Sequence, residues 1–350
     1  MPGYKVEFMT IKLLADASLI NLSIAFPHPF ELTVYTKSLE IPELLYDKEI
    51  LLCRSTLKCD RALLAHQQLR FLATASSGND HIDKYFLEKI GVKLVDARGC
   101  NANAVADYSI ACITYLKRYH GFCGNKYGII GCGSVGSLVA SRLKSLGYQV
   151  ICYDPPRQER DSEFISADLR ELFECNLLSI HTNLHNLPPH PSVNLIDTKF
   201  LNNLPHGTVI INAARGDVVD ESAIIHAIQQ NGLFYCTDVY QNEPEINPMI
   251  VALATISTPH IAGHSIEGKL RAVTLVSEKL HNYYRLPPVG FGSLIKNNLV
   301  FKQDILDLYN PIYETRYLKN ASHYLGQAFV ELRKAHLRHD FSYERFDDYT

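Results

Sequence analysis

Three short segments late in the chain carry a guanidinium, a carboxylate and an imidazole. They are Asn212-Ala-Ala-Arg215-Gly216, Asp238-Val-Tyr-Gln-Asn-Glu243-Pro244 and Thr258-Pro259-His260-Ile-Ala-Gly263. Such a trio suits the oxidation of an alcohol beside a carboxylate. An imidazole that titrates near neutrality takes the hydroxyl proton as hydride leaves carbon. A neighbouring carboxylate orients the ring and stabilises the imidazolium. A guanidinium holds a substrate carboxylate bidentately and polarises the next oxygen. On this pattern His260 is the expected acid/base, Glu243 its partner and Arg215 the substrate clamp. Each also has a plainer reading. Arg215 could be a surface residue at a turn made by Gly216, Glu243-Pro244 a solvated loop end, and His260 a turn histidine. The chemical reading is favoured because all three follow strand-like runs downstream of a nucleotide-binding segment.

That segment supplies the hydride acceptor. An apolar run from Tyr127 to Ile130 leads into Gly131-x-Gly133-x-x-Gly136, then a helix-patterned stretch, then a second apolar run from Val150 to Tyr153 that ends on Asp154. Gly131 permits a tight strand-to-helix turn, Gly133 leaves room for a pyrophosphate, and Gly136 lets helix and strand pack closely. The backbone N–H groups of Ser134, Val135 and Gly136 open the helix and face the phosphates with the positive end of its dipole. Asp154 stands where a carboxylate accepts both ribose hydroxyls and repels a 2′-phosphate, so NAD is expected over NADP.

Strands and helices must alternate to present these segments. Apolar runs at Ile11–Ala15, Ile50–Cys53 and Phe71–Ala75 alternate with helix-like stretches near Ser18–Phe26, Asp60–Gln67 and Ile82–Ile90, which predicts a small parallel sheet with crossover helices. Val105, Tyr108, Cys112, Tyr115 and Tyr119 fall at helical spacing in Asn103–Tyr119. Further strands are expected at Leu177–His181, Thr208–Asn212, Leu233–Asp238 and Thr255–Ser257, and one long helix at Ile266–Tyr284, broken by Leu286-Pro-Pro. The fold class is therefore α/β with two parallel-sheet lobes, Rossmann-like or flavodoxin-like. The long helix is expected to return to the first lobe, and a small substrate is expected between the lobes. The remaining residues, polar and aromatic with a helical stretch at Phe329–Arg338, are too few for a core of their own.

Composition narrows the partners. A formal charge of −3 over 350 residues gives no reason to expect nucleic acid or an anionic membrane surface. No stretch approaches the roughly 18 apolar residues of a membrane helix. The first residues lack a basic segment followed by an apolar one, so no secretory signal is expected, and Met9 is an alternative start. The nine cysteines form no Cys-x-x-Cys pair; several, including Cys53, Cys132, Cys152 and Cys236, sit in apolar runs, which fits buried thiols in a reducing cytoplasm. His181 and His185 lie four apart in a Pro-rich loop without a third ligand at usual spacing, so no metal is expected.

Together these motifs resemble the D-isomer-specific 2-hydroxyacid dehydrogenases. The features that carry the resemblance are the glycine loop with Asp154-Pro-Pro, His181-Thr182, Ile211-Asn212 with Arg215-Gly216 and Val219-Asp220, Asp238 with Glu243-Pro244, and Thr258–Gly263. Arg54-Ser55-Thr56, Ser77–Asp83, Gly99-Cys-Asn-Ala102, Arg157 and the tail Phe329–Arg338 with Tyr343–Phe346 are similar to one subgroup, over about residues 10–346. The resemblance implies that Arg215, Glu243 and His260 are catalytic. It implies NAD contacts at the glycine loop, Asp154, Thr182, Asp238 and Gly263, and substrate contacts at Ser55 and Ser76 with Arg54 nearby. His264 stands where the subgroup has Tyr, so its contact with substrate is an open point; Tyr240 stands where Trp is common. Lys269 and Arg271 are further candidates for a substrate phosphate.

The implied reaction is oxidation of 4-phospho-D-erythronate by NAD to 2-oxo-3-hydroxy-4-phosphobutanoate, a step toward pyridoxal phosphate. The implied organisation is a substrate-binding domain at 1–100 plus 266–285, an NAD-binding domain at 101–265 and a dimerisation domain at 286–350 in a cytoplasmic homodimer. Alternatives are a dehydrogenase of 3-phosphoglycerate or of glyoxylate/hydroxypyruvate, and an NAD-sensing corepressor-like protein without turnover.

Overall fold

The computed structural model describes residues 10–65, 67–290 and 304–341; Met9 and the Tyr343–Phe346 segment lie outside them. The described chain clusters into two units, 10–101 with 267–290 and 102–266 with 304–341.

In the first unit, long apolar runs make strands that are covered on both faces, as a parallel sheet requires. Strands β1 (Ile11–Asp16), β2 (Phe30–Tyr35), β3 (Ile50–Cys53), β4 (Phe71–Thr74) and β5 (Lys93–Asp96) lie parallel in the order β2-β1-β3-β4-β5. This is the flavodoxin-like order. Every residue of β3 and β4 is buried. One face, with Leu13, Leu52 and Ala73, packs against Val273, Val276 and Leu280 of the Ile266–Tyr284 helix. The other, with Leu14, Leu51 and Leu72, packs against Ile41, Leu64 and Leu87.

The strands β2 and β5 are absent from the sequence reading. Both are sheet edges, and their mixed burial leaves no continuous apolar run to see. The expected helices are shorter here, at Leu22–Ala25, Arg61–Leu64 and Lys84–Lys89. Asp60 and Asp83 are N-caps, accepting from Leu63 N–H and Phe86 N–H respectively, rather than helical residues.

The second unit holds β6 (Lys126–Ile130), β7 (Gln149–Tyr153), β8 (Leu177–Ile180), β9 (Val209–Asn212), β10 (Phe234–Thr237) and β11 (Ile256–Ser257). All are parallel, in the order β11-β10-β9-β8-β6-β7. The chain moves one way from β6 to β7 and the other way from β8 onward. The crevice where such an order reverses lies at the carboxyl ends of β6 and β8, where α/β sheets take ligands. Gly131 N–H donates to Tyr153 C=O (2.9 Å) and His181 N–H to Ile130 C=O (2.7 Å), which places the glycine loop and Thr182 at that reversal.

Tyr108, Cys112 and Leu116 of the Ala102–Tyr119 helix cover Ile129, Ile211 and Cys236 on one face of this sheet. The described C-terminal residues belong to the same cores. Leu318, Ala328 and Phe329 join the face of Leu178, Ile210 and Tyr235, and Leu306, Tyr309 and Phe341 join the opposite face. The helix expected at Phe329–Arg338 runs instead over Leu325–Ala335, so His336 to Arg338 leave it in extended chain. No disulfide occurs among the nine cysteines; seven are buried, Cys152 is half-buried and Cys123 is exposed. No described helix is long and apolar enough to cross a membrane.

Close packing at Gly136 leads to a first test. A Cβ there would lie 1.9 Å from the Gly131 carbonyl oxygen. Gly136→Ala should cost about 1–3 kcal/mol in denaturant unfolding with an unchanged m value. An undiminished midpoint would show that helix and loop are not pressed together.

Candidate active site

The glycine loop is shaped for a dinucleotide. Gly131 has φ 86°, in the left-handed region that favours glycine, and a Cβ on it would meet Thr182 N at 2.8 Å. Nothing lies within 4 Å of a Cβ built on Gly133, so this position is open to a pyrophosphate. Gly133 caps the Ser134–Ser145 helix and offers no side chain to its first N–H groups, which leaves them to a phosphate. Asp154 accepts from Cys132 N–H (2.7 Å) and Arg157 N–H (3.0 Å), which holds its carboxylate beside the loop with lone pairs left for hydroxyl donors. Thr182 Oγ1 is shut from solvent with no hydrogen-bond partner among the described residues, which suits a bound hydroxyl.

An arginine three residues after such an acid could invite a 2′-phosphate. Arg157 is committed elsewhere. It donates to Cys132 C=O (2.8 Å), Ser137 Oγ (3.0 Å) and Asp161 Oδ2 (3.1 and 3.2 Å), with its guanidinium over the Phe164 ring. The residues present therefore fit NAD.

The three candidate catalytic residues follow adjacent strands: Arg215 after β9, Glu243 after β10, His260 after β11. His260 Nδ1 lies 2.6 Å from Glu243 Oε2, and Glu243 Oε1 accepts from Tyr240 N–H (2.9 Å). Burial pushes the Glu243 carboxyl up, but the charge and hydrogen bond of His260, the Tyr240 N–H and the charge of Arg333 outweigh it and hold the group below the usual range. Glu243 thus stays a carboxylate beside the imidazole. Arg215 caps a 3₁₀ turn and its Nη1 donates to Ala214 C=O (2.7 Å). A Cβ on Gly216 would sit 2.0 Å from the Tyr240 carbonyl carbon, so only glycine lets the Arg215 turn lie against the Tyr240–Glu243 loop.

His260 has φ 55°, an uncommon conformation for a residue with a Cβ, costing on the order of 1 kcal/mol or more. Its N–H donates to Asp238 C=O (2.8 Å) and Thr258 C=O (3.1 Å). The Asp238 side chain, 1% exposed, accepts from Thr258 Oγ1 (2.7 Å), Ile261 N–H (2.8 Å) and Ala262 N–H (2.8 Å). Burial holds the Asp238 carboxyl above its usual range, and the charge of His260 and these donors offset only part of that rise. Asp238 was expected as a cofactor contact; within the protein it holds the turn around His260.

Two hydroxyls escaped the sequence reading. Tyr108 OH lies 2.8 Å from Thr258 Oγ1, and Tyr240 OH lies 2.7 Å from Ser257 Oγ and donates to Thr258 C=O (3.0 Å). Tyr108 reads in sequence as one more residue of an apolar stripe. For Tyr240, the usable signal was a phenol where the family commonly has Trp.

The expected substrate residues Arg54, Ser55 and Ser76 belong to the first unit. Arg54, with a side chain 45% exposed, donates through Nε to Asp16 Oδ2 (3.0 Å). Ser55 is exposed. Ser76 Oγ donates to Gly78 C=O (2.7 Å) and lies 2.7 Å from Thr74 Oγ1. Lys269 is exposed, and Arg271 donates through Nε to Cys100 C=O (2.9 Å). In the second unit, Gly263 and His264 are half-buried just beyond the His260 turn. His181, pushed down to about 3 by burial of its ring, stays neutral against Ser179 Oγ (2.8 Å) and is no rival base. No cluster of three or more metal-binding side chains occurs among the described residues.

Residues 115–262 match the family model "D-isomer specific 2-hydroxyacid dehydrogenase, NAD binding domain". The chain is 49% identical to an erythronate-4-phosphate dehydrogenase of Legionella pneumophila, covering 95% of this chain and 96% of that protein. A Bacteroides fragilis erythronate-4-phosphate dehydrogenase is 34% identical over 80% of this chain and 83% of its own. The fold is shared with D-lactate dehydrogenase from Aquifex aeolicus, solved with NAD and lactic acid (TM-score 0.65, 24% identity, 78% of this chain and 95% of that one). It is also shared with NAD-bound 3-phosphoglycerate dehydrogenase of Entamoeba histolytica (TM-score 0.66, 23% identity, 81% and 98%).

The pairing of Glu243 with His260 is testable. Glu243→Gln keeps the shape and removes the counter-charge. We expect kcat to fall about a hundred- to ten-thousand-fold. The parent carboxyl, held below its usual range, stays ionised as pH falls through mild acid and keeps stabilising the imidazolium. The acid limb of the kcat/KM profile should therefore move to lower pH in the variant. Superimposable profiles would show that Glu243 does not influence the titrating group.

Proposed function

The chain belongs to the D-isomer-specific 2-hydroxyacid dehydrogenases, among the erythronate-4-phosphate dehydrogenases, and from that premise we propose that it oxidises the C2 hydroxyl of 4-phospho-D-erythronate with NAD, giving 2-oxo-3-hydroxy-4-phosphobutanoate and NADH. The observation that carries this reading is the 2.6 Å pairing of His260 with Glu243 in the unit that also holds the glycine loop.

Bound at that loop, NAD supplies the acceptor for the hydride that leaves C2. Nδ1 of His260 faces Glu243, which leaves Nε2 to take the hydroxyl proton, and Glu243 stabilises the imidazolium that results. Arg215 holds the substrate carboxylate bidentately and polarises the C2 oxygen. Its place against the Tyr240–Glu243 loop supports this role. Gly131, Gly133, Ser134, Val135, Gly136, Asp154, Thr182 and Gly263 form the NAD contacts in this reading, and Asp238 adds the anchoring of the His260 turn. Arg54, with Ser55 and Ser76, serves the substrate, its exposed guanidinium suiting the 4-phosphate. A cytoplasmic homodimer formed through the C-terminal segment completes the proposal. Sedimentation should give twice the chain mass, and a monomer would remove the dimer from it.

A substrate panel with NAD decides the reaction. Erythronate 4-phosphate should turn over well ahead of 3-phosphoglycerate, and unphosphorylated erythronate should be poor. A reversed order would reassign the substrate, and absence of turnover on all hydroxy acids would favour a cofactor-sensing protein. His260→Ala should cost about two to four orders of magnitude in kcat with NADH affinity kept, and a normal rate would put the base elsewhere. Asp154→Ala should weaken NAD and narrow its advantage over NADP; unchanged preference would mean that the acid does not face the ribose.

A further inference from the structure

We propose that Arg338, in the C-terminal segment, is a positioning residue for the turn that carries His260, a role that rests on the dehydrogenase reading above. Arg338 lies past the end of the Leu325–Ala335 helix and is 6% exposed. Its Nε donates to His264 C=O (3.1 Å), and its Nη2 donates to Ala104 C=O (2.8 Å) and to Ala262 C=O. Its own carbonyl accepts from Ile266 N–H (2.9 Å), and its guanidinium lies 4.7 Å from the centre of the Tyr309 ring.

One side chain thus grips the carbonyls on both sides of Gly263 and ties them to the start of the Ala102–Tyr119 helix. From the other direction the Asp238 carboxylate grips the N–H groups of Ile261 and Ala262. The stretch 261–264 is therefore bracketed, its N–H groups on a buried anion and its carbonyls on a buried cation. Hydrogen bonds to charged groups are the strong ones, and here both partners of the bracket are shielded from water. The bracket begins one residue after His260, whose backbone is held at φ 55° and does not hold that conformation by itself. A misplacement of about 1 Å in a catalytic group costs on the order of a hundredfold in rate, so the grip has kinetic weight.

The chemistry requires arginine. A planar guanidinium reaches three carbonyls at fixed angles, whereas a lysine ammonium is a single point donor. Local charge favours a buried cation: Asp107, pushed up to about 7 by burial, is drawn back toward its charged form by Arg142, whose Nη1 donates to it (2.8 Å), and by Arg338, and it also accepts from Phe341 N–H (3.0 Å). Arg338 also lines a cavity of about 290 Å³, together with Tyr309, Glu314 and His336, which is space that a small solute can enter.

The test compares Arg338→Ala and Arg338→Lys with Leu318→Ala, which loosens the same C-terminal segment through its core without touching the bracket. Rates are expressed per folded molecule, with the folded fraction read by circular dichroism. Arg338→Ala should lose about ten- to a hundredfold in kcat, Arg338→Lys should lose less, and millimolar guanidinium should restore part of the activity of Arg338→Ala. Leu318→Ala should keep its rate per folded molecule and should not respond to guanidinium. Amide hydrogen exchange of residues 261–266 reads the bracket without any turnover and should quicken by about tenfold or more in Arg338→Ala alone.

The proposal is overturned if exchange in that stretch is unchanged in Arg338→Ala, or if Leu318→Ala reproduces its losses. It is also overturned if kcat per folded molecule of Arg338→Ala matches an active parent, or if guanidinium fails to restore any of the lost rate. A parent inactive on every hydroxy acid would sink the reaction, while the exchange result would still decide the role of Arg338.

Discussion

A carboxylate stripped of water must find donors, and Asp238 finds them in the residues around His260. Its oxygens take up the Thr258 hydroxyl and the N–H groups of Ile261 and Ala262, and its own carbonyl receives the His260 N–H. Leaving such a charge unpaired would cost several kcal/mol, so the turn is pinned by the price of letting go. The imidazole then points where Glu243 can meet it at 2.6 Å. Arg215 is set by a different necessity, the absence of a Cβ at Gly216, which allows its turn to lie on the Tyr240 backbone.

Around this constraint the second unit is built in layers. The parallel sheet brings the ends of β9, β10 and β11 side by side, because neighbouring strands in one direction end at one edge. The reversal of strand order at β6 and β8 opens the glycine loop at that same edge. Tyr108 and Tyr240 carry hydroxyls from the sheet's covering helix and from the β10 loop to Thr258, so the buried layer under the His260 turn is hydrogen-bonded as well as apolar. The C-terminal segment joins in, with Thr315 Oγ1 accepting from Ser257 N–H (3.0 Å) and Phe329 packing edge-on to Tyr240.

Much of this was legible in the chain. Gly131, Gly133 and Gly136 announce a turn, an open approach and a close contact, and each occurs. The Ile266–Tyr284 helix has its expected bounds. The misses share a cause. β2 and β5 are edge strands, half-covered and interrupted by Glu31, Thr33 and Lys93, so their composition resembles loop. Asp60 and Asp83 fall within the helical patterning but cap the helices that follow them. Tyr108 looked like core because its ring is core, and only its hydroxyl does something else.

The chain's local patterns were enough for the buried strands, the long helices, the cofactor loop and the identities of the candidate catalytic groups. Those depend on local rules: periodicity, glycine's freedom, and the proton and charge chemistry of single side chains. Which groups meet was set by the fold. Asp238 and Thr258 are 20 residues apart, and Arg338 lies 76 residues from Ala262. Whether a buried polar atom finds a partner depends on which distant segment the sheet order brings beside it, and no local pattern in the chain records that.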